Sequence, residues 1–582
     1  MYTWNLQDIY EDNNISVQND INLLDNLVKN FQKYKDYLEI HLVQDAIEKY
    51  EEISSIIKKL SVYSFLYSVT QLNNPDATRF TQTINEKLAN ISSQIAFFIN
   101  KISAMDYKTL MGYLEHNKDL SEYKLWFENI FKDKDHILST EAEEVLVKKS
   151  TTSRESWVRL YNELLSRITI KYKNTTKNIS QMIEIANHNM HPREREIATC
   201  SINQELSKHS FYITHVYNNI MLDVSTEQNL RSRYLPESER HVHNNISQED
   251  VNKLTETVIS NYAKIPHRYY KIKAALLDKE KLEYWDRNAP ITKSNILTRK
   301  INYQEACDIV LDVFGKFSPV FRDIAYKFIN ESWIDVYPKI GKDSGAFSCS
   351  CTIDTHPYIM LNYSDNIRDV YTLAHELGHG IHQYLSADKG TLLSNTPITI
   401  AETASLFAEK MLFEYMFNMA KTKEEKIDLI CARLDDMINS NMRQIAFFQF
   451  ERECHDKRKI GELSHGMISE IWLNIQKNVC GDHVNIDERI SNLWSIVSHF
   501  FNCPFYVYAY SFGEIFVNAL YAQYQKIGDQ FIDQYIYTLS RGGIDSYETI
   551  ADNFNLNIKG NNFWQSGLDS IIAQINLLEI YM

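Results

Sequence analysis

The segment TLAHELGHGIHQ, residues 372–383, places three histidines and one glutamate in a run that otherwise has the apolar spacing of a buried helix. His375 and His379 are four residues apart, so a helix would stack them one turn apart, about 6 Å along its axis. Two imidazole nitrogens at this spacing can hold one metal ion. Glu376 would point about 100° farther around the helix, close to the ion but off the ligand face. This H-E-x-x-H pattern predicts a zinc ion on the two histidines, with Glu376 as general base.

The flanking sequence predicts a helix behind a small sheet. Apolar residues recur every three or four positions from Ile367 to Leu377, and Ser364 or Asp365 can cap such a helix. Just before it, the runs GAFSCSC and YIMLN are short, apolar and bounded by turn residues, which is typical of strands. We therefore expect the motif helix to follow directly on β-structure.

A third ligand is expected downstream, because a catalytic zinc usually takes three protein ligands and leaves one position for water. Residues 394–415 predict a second, antiparallel helix with two carboxylates, Glu402 and Glu409, in an apolar run. We favour Glu402 as the ligand and expect Glu409, two turns farther on, to brace a ligand. His382 lies one turn beyond His379 and is expected to pack or hydrogen-bond beside the site.

The composition excludes several classes of protein. The formal net charge of -15 argues against partners such as nucleic acid or an anionic membrane. No signal-peptide pattern or long apolar span is present in the sequence. The eight cysteines, with none before Cys200, indicate reduced thiols in a cytoplasmic protein. Cys349 and Cys351 are expected to be ordinary thiols on opposite faces of a strand.

The distribution of glycine and proline favours a predominantly α fold. Before Gly315 the only glycine is Gly112, so the first half is expected to consist of long helices with polar joints. The histidines of two such joints, at 188–192 and 241–245, lack companion ligands. We expect those histidines to be solvated and expect one zinc ion as the single metal.

With these residues in place, the chain resembles the oligoendopeptidase F branch of the thimet oligopeptidase superfamily of zinc metallopeptidases. The resemblance extends over essentially the whole chain. Its motifs are WNLQDIY (4–10), YWDRNAP (284–290), GAFS (345–348), DTHPYIMLNY (354–363), TLAHELGHGIH (372–382), IAETASLFAE (400–409), PFYVYAYSFG (504–513) and LSRGGIDS (539–546).

The resemblance implies a mostly helical fold in which two lobes enclose a deep substrate channel. A small β-sheet would lie beside a gluzincin-type zinc site, with Glu402 as the third ligand. We expect residues 1–195 to form an N-terminal helical lobe that covers the channel, and residues 196–582 to form the catalytic lobe.

The resemblance also implies that a tyrosine and a histidine from residues 498–513 face the zinc. Attack on a peptide carbonyl creates an oxyanion, which needs a positioned donor besides the metal. We favour Tyr510 and His499 as these catalytic groups, with Tyr506 close behind, and expect Tyr508 to lie in the core.

Substrate would be held by backbone pairing. We predict that residues 357–362 form an exposed strand edge that pairs with an extended peptide. Gly345 and Ala346, on the same side of the channel, are expected to permit close approach of the peptide backbone. The predicted substrate-binding residues are His356, Tyr358, Ile359, Met360, Gly345, Ala346 and Tyr506.

The sequence thus predicts a cytoplasmic zinc endopeptidase that hydrolyses internal bonds of short unstructured peptides. Its zinc would lower the pKa of a bound water to about 7, so that Glu376 can remove a proton. A metallocarboxypeptidase on a similar helical shell is the alternative enzyme, and a non-catalytic peptide-binding scaffold is the alternative outside enzymes. The oligomeric state, monomer or dimer, is left open.

Overall fold

The computed structural model describes residues 2–11, 15–343, 345–560 and 562–582. It is 73% helical with a few small sheets, which confirms the predominantly α prediction. In the first half the helices are α1 (Ile15–Phe31), α2 (Lys33–Asp36), α3 (Val43–Val69), α4 (Pro75–Ile95), α5 (Phe97–Ser103), α6 (Tyr107–His116), α7 (Lys118–Ser121), α8 (Lys124–Lys132), α9 (Thr140–Ser150), α10 (Arg154–Arg167), α11 (Ile179–His188), α12 (Pro192–Lys208), α13 (Ser210–Leu230), α14 (Ser238–His243), α15 (Gln248–Ser260) and α16 (Arg268–Leu276).

The second half continues with helices of similar length. These are α17 (Tyr303–Phe317), α18 (Pro319–Asn330), α19 (Ile367–Ser386), α20 (Gly390–Leu393), α21 (Ile398–Met419), α22 (Lys423–Ile438), α23 (Gln444–Arg458), α24 (His465–Cys480), α25 (His499–Asn502), α26 (Tyr508–Ile527), α27 (Asp529–Ser540), α28 (Tyr547–Asn553) and α29 (Phe563–Tyr581). Within the part of the chain that the structure describes, no helix combines the length and apolar character needed to span a bilayer.

The chain forms two compact units, each built from three separate stretches. The first unit contains Met1–Lys148, Thr298–Met416 and Leu520–Asn555, and the second contains Lys149–Leu297, Phe417–Ala519 and Leu556–Met582. The functional lobes predicted at residues 1–195 and 196–582, and the channel they would enclose, stay predictions.

The first unit holds a three-stranded sheet in the order β4 (Ile334–Asp335), β6 (Tyr358–Met360), β5 (Phe347–Cys349). β6 pairs with β4 in parallel and with β5 in antiparallel register. The second unit holds an antiparallel hairpin of β1 (Thr169–Tyr172) with β2 (Thr175–Asn178), and a short parallel pair of β3 (Leu282–Glu283) with β7 (Val484–Asn485).

The prediction that residues 357–362 form an exposed strand edge is wrong. β6 is the central strand of its sheet, its backbone is paired on both sides, and its three residues are buried. The N-terminal segment lies along β4, where the Val336 N–H donates to the Tyr2 carbonyl at 2.9 Å. β5 lies on the side of β6 opposite β4 and is therefore an edge strand of this sheet.

The cysteines are all free, as predicted. The expectation that Cys349 and Cys351 point to opposite faces is wrong, because residues two apart on a strand share a face. Cys349 ends β5, Cys351 lies just past it, and both side chains belong to the same hydrophobic cluster of the first unit.

Candidate metal centre

The H-E-x-x-H motif lies in the middle of α19, as predicted. The residue that caps this helix is Asn366, which corrects the predicted caps Ser364 and Asp365. The Asn366 side chain accepts a hydrogen bond from the Asp369 N–H at 3.1 Å, and the Asp369 carboxylate accepts one from the Asn366 N–H at 3.3 Å. This reciprocal capping box satisfies two backbone donors at the start of the helix.

A second helix, α21, lies against the motif and carries Glu402. The two helices approach each other closely at Gly378, where an added Cβ would lie 2.6 Å from the Ala404 carbonyl oxygen and 2.7 Å from the Ser405 Cα. Only glycine permits this approach. The close contact brings the Glu402 carboxylate beside both histidines of the motif.

Three side chains meet with the spacing of a metal site. The Nε2 atoms of His375 and His379 lie 3.5 Å and 3.4 Å from Glu402 Oε2. Two ligand atoms about 2.0 to 2.1 Å from a tetrahedral zinc lie about 3.3 Å apart, so the donor set fits this ion. Among the described residues, these three are the one group of histidine, cysteine and acidic side chains close enough to hold a metal.

Two further side chains fix the orientation of this donor set. His375 Nδ1 lies 2.7 Å from Glu409 Oε1, which leaves Nε2 directed at Glu402. The Ser405 hydroxyl donates to Glu402 Oε2 at 2.8 Å. Carboxylates that hold the second nitrogen of a metal-binding histidine fix its tautomer and ring orientation. Glu409 thus contacts His375, and its role as a bracing residue stays a prediction.

Burial and neighbouring charges shift the pKa values of these groups. Burial disfavours the charged form of His375, but the hydrogen bond to Glu409 and the surrounding carboxylates outweigh it and raise its pKa to about 10. Burial would raise the pKa of Glu402, but the two histidines and Ser405 lower it to about 2. Both groups therefore favour a cation between them, a proton or a metal ion.

Glu376, the predicted general base, lies among the same charged side chains. Glu376 is 6% exposed, and burial raises the pKa of its carboxyl against the opposing charges of His375 and His379. A carboxylate whose pKa is shifted toward neutrality is suited to accept and return a proton. His382 is buried next to the Ala401 backbone, and burial lowers the pKa of its imidazole to about 4.

The predicted aromatic residues cluster in the second unit. His499 Nε2 lies 3.2 Å from the Tyr510 hydroxyl oxygen, and the Tyr506 ring stacks on His499 with a centroid distance of 5.5 Å. Tyr508 is fully buried, as predicted, and its hydroxyl oxygen lies 2.9 Å from His241 Nδ1. His499, Tyr506 and Tyr510 are thus one cluster, and their role at the metal stays a prediction.

The position of His241 contradicts another prediction. His241 is buried in α14, 5% exposed, so the prediction that it is solvated is wrong. Its burial against the Tyr508 hydroxyl was not visible in the local sequence, because the two residues lie far apart in the chain.

Four of the predicted substrate-binding residues are buried within the first unit. Tyr358, Ile359 and Met360 are fully buried in the sheet. His356 is also buried, stacks on Trp333 at 3.9 Å and contacts Asp8 Oδ2 at 3.2 Å. These side chains are sheet-packing groups in the structure, not exposed contacts.

Gly345 and Ala346 precede the edge strand β5 and are more exposed. The Gly345 carbonyl accepts a hydrogen bond from Asn362 Nδ2 at 2.7 Å. This contact ties the loop before β5 to the segment that follows β6, so the start of the edge strand is held in position.

Sequence reasoning missed two residues that shape the centre, Gly378 and Ser405. Each had a local signal. Gly378 is a glycine inside a helix, which lowers helix stability and therefore indicates a packing requirement. Ser405 follows Glu402 by three positions, which places the two side chains on the same face of a helix.

The helical fold and this donor set together define a candidate metallopeptidase. The profile of peptidase family M3 matches residues 229–569, and the profile described as Oligopeptidase F matches residues 101–170. Because the first match covers more than half of the sequence, the chain belongs to peptidase family M3, in its oligoendopeptidase F branch.

Relatives support the same assignment along nearly the whole chain. An Oligoendopeptidase F homolog of Borreliella burgdorferi is 28% identical over 549 residues, 90% of this chain and 88% of the relative. Oligopeptidase PepF of Bacillus subtilis is 27% identical over 568 residues, 93% of this chain and 81% of the relative. The crystal structure of oligoendopeptidase-F from Enterococcus faecium matches with a TM-score of 0.73 at 18% identity, covering 97% of this chain and 98% of that chain.

These similarities have a chemical consequence for the donor set. Membership of family M3 supports a metal-dependent peptidase that acts on oligopeptides. The His375, His379 and Glu402 side chains are the described residues able to hold its metal. The predicted enzyme class and the geometry of the first unit therefore agree.

Proposed function

We propose that this protein is a zinc endopeptidase that cleaves internal bonds of short, unstructured peptides. The observation that carries the proposal is the triangle of His375 Nε2, His379 Nε2 and Glu402 Oε2, with Glu376 next to it on the same helix. A scaffold that only bound peptides would not need a base beside such a donor set.

The three side chains would hold one zinc ion, which supplies Lewis-acid polarisation of the scissile carbonyl and lowers the pKa of attacking water. Glu376 would take a proton from that water as its oxygen forms a bond to the carbonyl carbon. The same carboxyl would then deliver the proton to the amine nitrogen as the C–N bond breaks. Glu409 and His382 would support the ligands from behind.

Tyr510 and His499 are the proposed donors to the oxyanion. Their mutual contact at 3.2 Å limits the rotation of the tyrosine hydroxyl, and a donor held in place before the reaction needs little reorganisation when charge develops. Tyr506 stacks on His499 and would face the bound peptide. The family resemblance, which implies a tyrosine and a histidine from residues 498–513 facing the zinc, supports this assignment.

The edge strand β5 replaces residues 357–362 as the proposed peptide-pairing edge. Ile359 donates its N–H to Trp333, on the β4 side, so the neighbouring residues of β6 pair with Phe347 and Cys349. The backbone N–H of Ser348 consequently points away from β6, as does its C=O, which accepts a hydrogen bond from Gln383 Nε2 at 3.3 Å. An extended peptide can add to such an edge through main-chain hydrogen bonds, which tolerates many side chains.

A digest of peptides of graded length, with free or amidated C termini, tests the proposal by mass spectrometry. We expect internal cuts that do not depend on the C-terminal carboxylate and that stop when a chelator removes the metal. The Glu376→Gln variant should keep its zinc and lose activity by a factor of at least about 100. Stepwise removal of C-terminal residues would instead assign a carboxypeptidase, and equal rates for wild type and variant would remove Glu376 from the chemistry.

A further inference from the structure

The second unit contains a basic cavity that the peptidase chemistry does not use. Its volume is about 490 Å³, within the range of small-molecule pockets. Its polar lining consists of Lys264, His267, Arg268, Lys271 and His483, and it contains no acidic side chain. The chain has a formal net charge of -15, so this local concentration of basic groups is opposite in sign to the overall charge.

The local backbone explains how these groups converge. Residues Ala263–His267 form one π-helical turn that contains Pro266, and α16 follows it directly. Wide turns of this kind are rare in helices and occur frequently at functional sites. Arg268 and Lys271 are three residues apart in α16, so their side chains share one face of that helix, and Lys264 lines the same cavity from the π-helical turn.

The other side of the cavity is formed by a tight turn that packs against the π-helical turn. Gly481 has a φ of +66°, and a Cβ at this position would lie 2.6 Å from the ring of His267. This close approach brings His483, two residues later, to the rim of the cavity. His267 itself is held by a contact of 2.9 Å between its Nε2 and the Asn478 carbonyl oxygen.

The positive charges in the cavity are only partly neutralised. Arg268 is held by Glu579 through contacts of 3.0 Å and 2.6 Å. Lys264 and Lys271 are exposed and form no ion pair with any residue that the structure describes. Each is three or four residues from Arg268, and like charges at such a spacing destabilise a helix. A bound anion would offset this repulsion.

We propose that this cavity binds a small molecule that carries a chain of two or three phosphate groups. Lysine ammonium groups and arginine guanidinium groups are the side chains that proteins use for phosphate. Lys264, Arg268 and Lys271 are spread over about two helical turns, so together they can contact successive phosphates of a chain. Free polyphosphate and a nucleoside triphosphate both offer this chemistry, and Ile572 in the lining provides an apolar contact for a base.

Isothermal titration calorimetry of the full chain with tripolyphosphate, ATP and inorganic phosphate tests the proposal. We expect saturable binding of one tripolyphosphate or ATP per chain, weakened by added salt, and weaker binding of inorganic phosphate. Tighter binding of ATP than of tripolyphosphate would assign a nucleotide, and equal binding would assign the phosphate chain alone. Absence of saturable binding for both, at low ionic strength and millimolar ligand, overturns the proposal.

A pair of double variants distinguishes the cavity from general attraction. Lys264→Gln with Lys271→Gln should weaken binding about tenfold or more, because hydrogen bonds to charged groups are lost. The control is Lys171→Gln with Lys421→Gln, which changes the charge equally at two exposed lysines of the same unit outside the cavity. Equal weakening in both double variants would overturn the proposal. Thermal unfolding without ligand should show the cavity variant at least as stable as wild type, since a like-charge contact is removed.

Discussion

Gly378 lies so close to the Ala404 carbonyl oxygen that a Cβ atom on the glycine would be only 2.6 Å from it. Gly378 is one residue before His379, and Ala404 is two residues after Glu402. It therefore sets the separation of α19 and α21 at the point where their ligand atoms meet. A local packing requirement of two backbones thus controls the distance between histidine nitrogens and a carboxylate oxygen.

Substitution of Gly378 should disrupt metal binding. In Gly378→Ala the added methyl group must push the two helices apart, and we expect the zinc affinity to fall at least about tenfold. Competition with a chromophoric chelator measures this affinity. The control is Gly112→Ala in α6, where nothing lies within 4 Å of the added Cβ; it should keep the affinity of wild type. Unchanged zinc affinity in Gly378→Ala would show that the helix contact does not control the site.

Loss of the carboxylate behind His375 should weaken the same site without unfolding it. Glu409→Gln keeps the size of the side chain but removes the charge 2.7 Å from His375 Nδ1, so we expect zinc affinity to fall about 10- to 100-fold. The control is Glu414→Gln, five residues farther along α21, whose carboxylate accepts a hydrogen bond from Gln525. An equal loss in both variants would indicate a general effect on the helix.

The candidate metal-binding residues were predictable because their signals are local. The spacing of His375 and His379 follows from the period of one helix, and a carboxylate in an apolar helix, such as Glu402, needs a partner. Their meeting across two helices was inferred from the ligand number of zinc, and the structure brings the three atoms together.

The position of a strand within its sheet could not be predicted from local sequence signals. The apolar run at β6 predicted a strand correctly, but its place in the sheet depends on partners distant in the chain. The Ile359 N–H donates to the Trp333 carbonyl, and β5 pairs on the other side. Whether a short apolar strand is central or at an edge is decided by these non-local pairings, which periodicity does not contain.

The edge strand provides a test of substrate pairing. Ser348→Pro removes an N–H that points away from β6, so the sheet should keep its hydrogen bonds. If that N–H pairs with the peptide, kcat/KM should fall about two- to tenfold, the value of one hydrogen bond, at unchanged zinc content. Ser348→Ala is the control, because it keeps the N–H and loses only the hydroxyl contact of 2.8 Å with Gln383. Equal kinetics in the two variants would remove β5 from substrate binding.

The tyrosines of α26 provide a test of oxyanion stabilisation. Tyr510→Phe should lower kcat about 100- to 1000-fold with a small change in KM, because the lost donor acts on charge that develops in the transition state. Zinc content should not change. The control is Tyr508→Phe, which removes a buried hydroxyl that contacts His241 and Asn244; it should lower the free energy of unfolding by about 1 to 3 kcal/mol and leave kcat unaltered. Stopped-flow peptide hydrolysis and thermal unfolding separate the two effects. A wild-type kcat in Tyr510→Phe would exclude its hydroxyl from the reaction and leave His499 and Tyr506 as the remaining candidate donors.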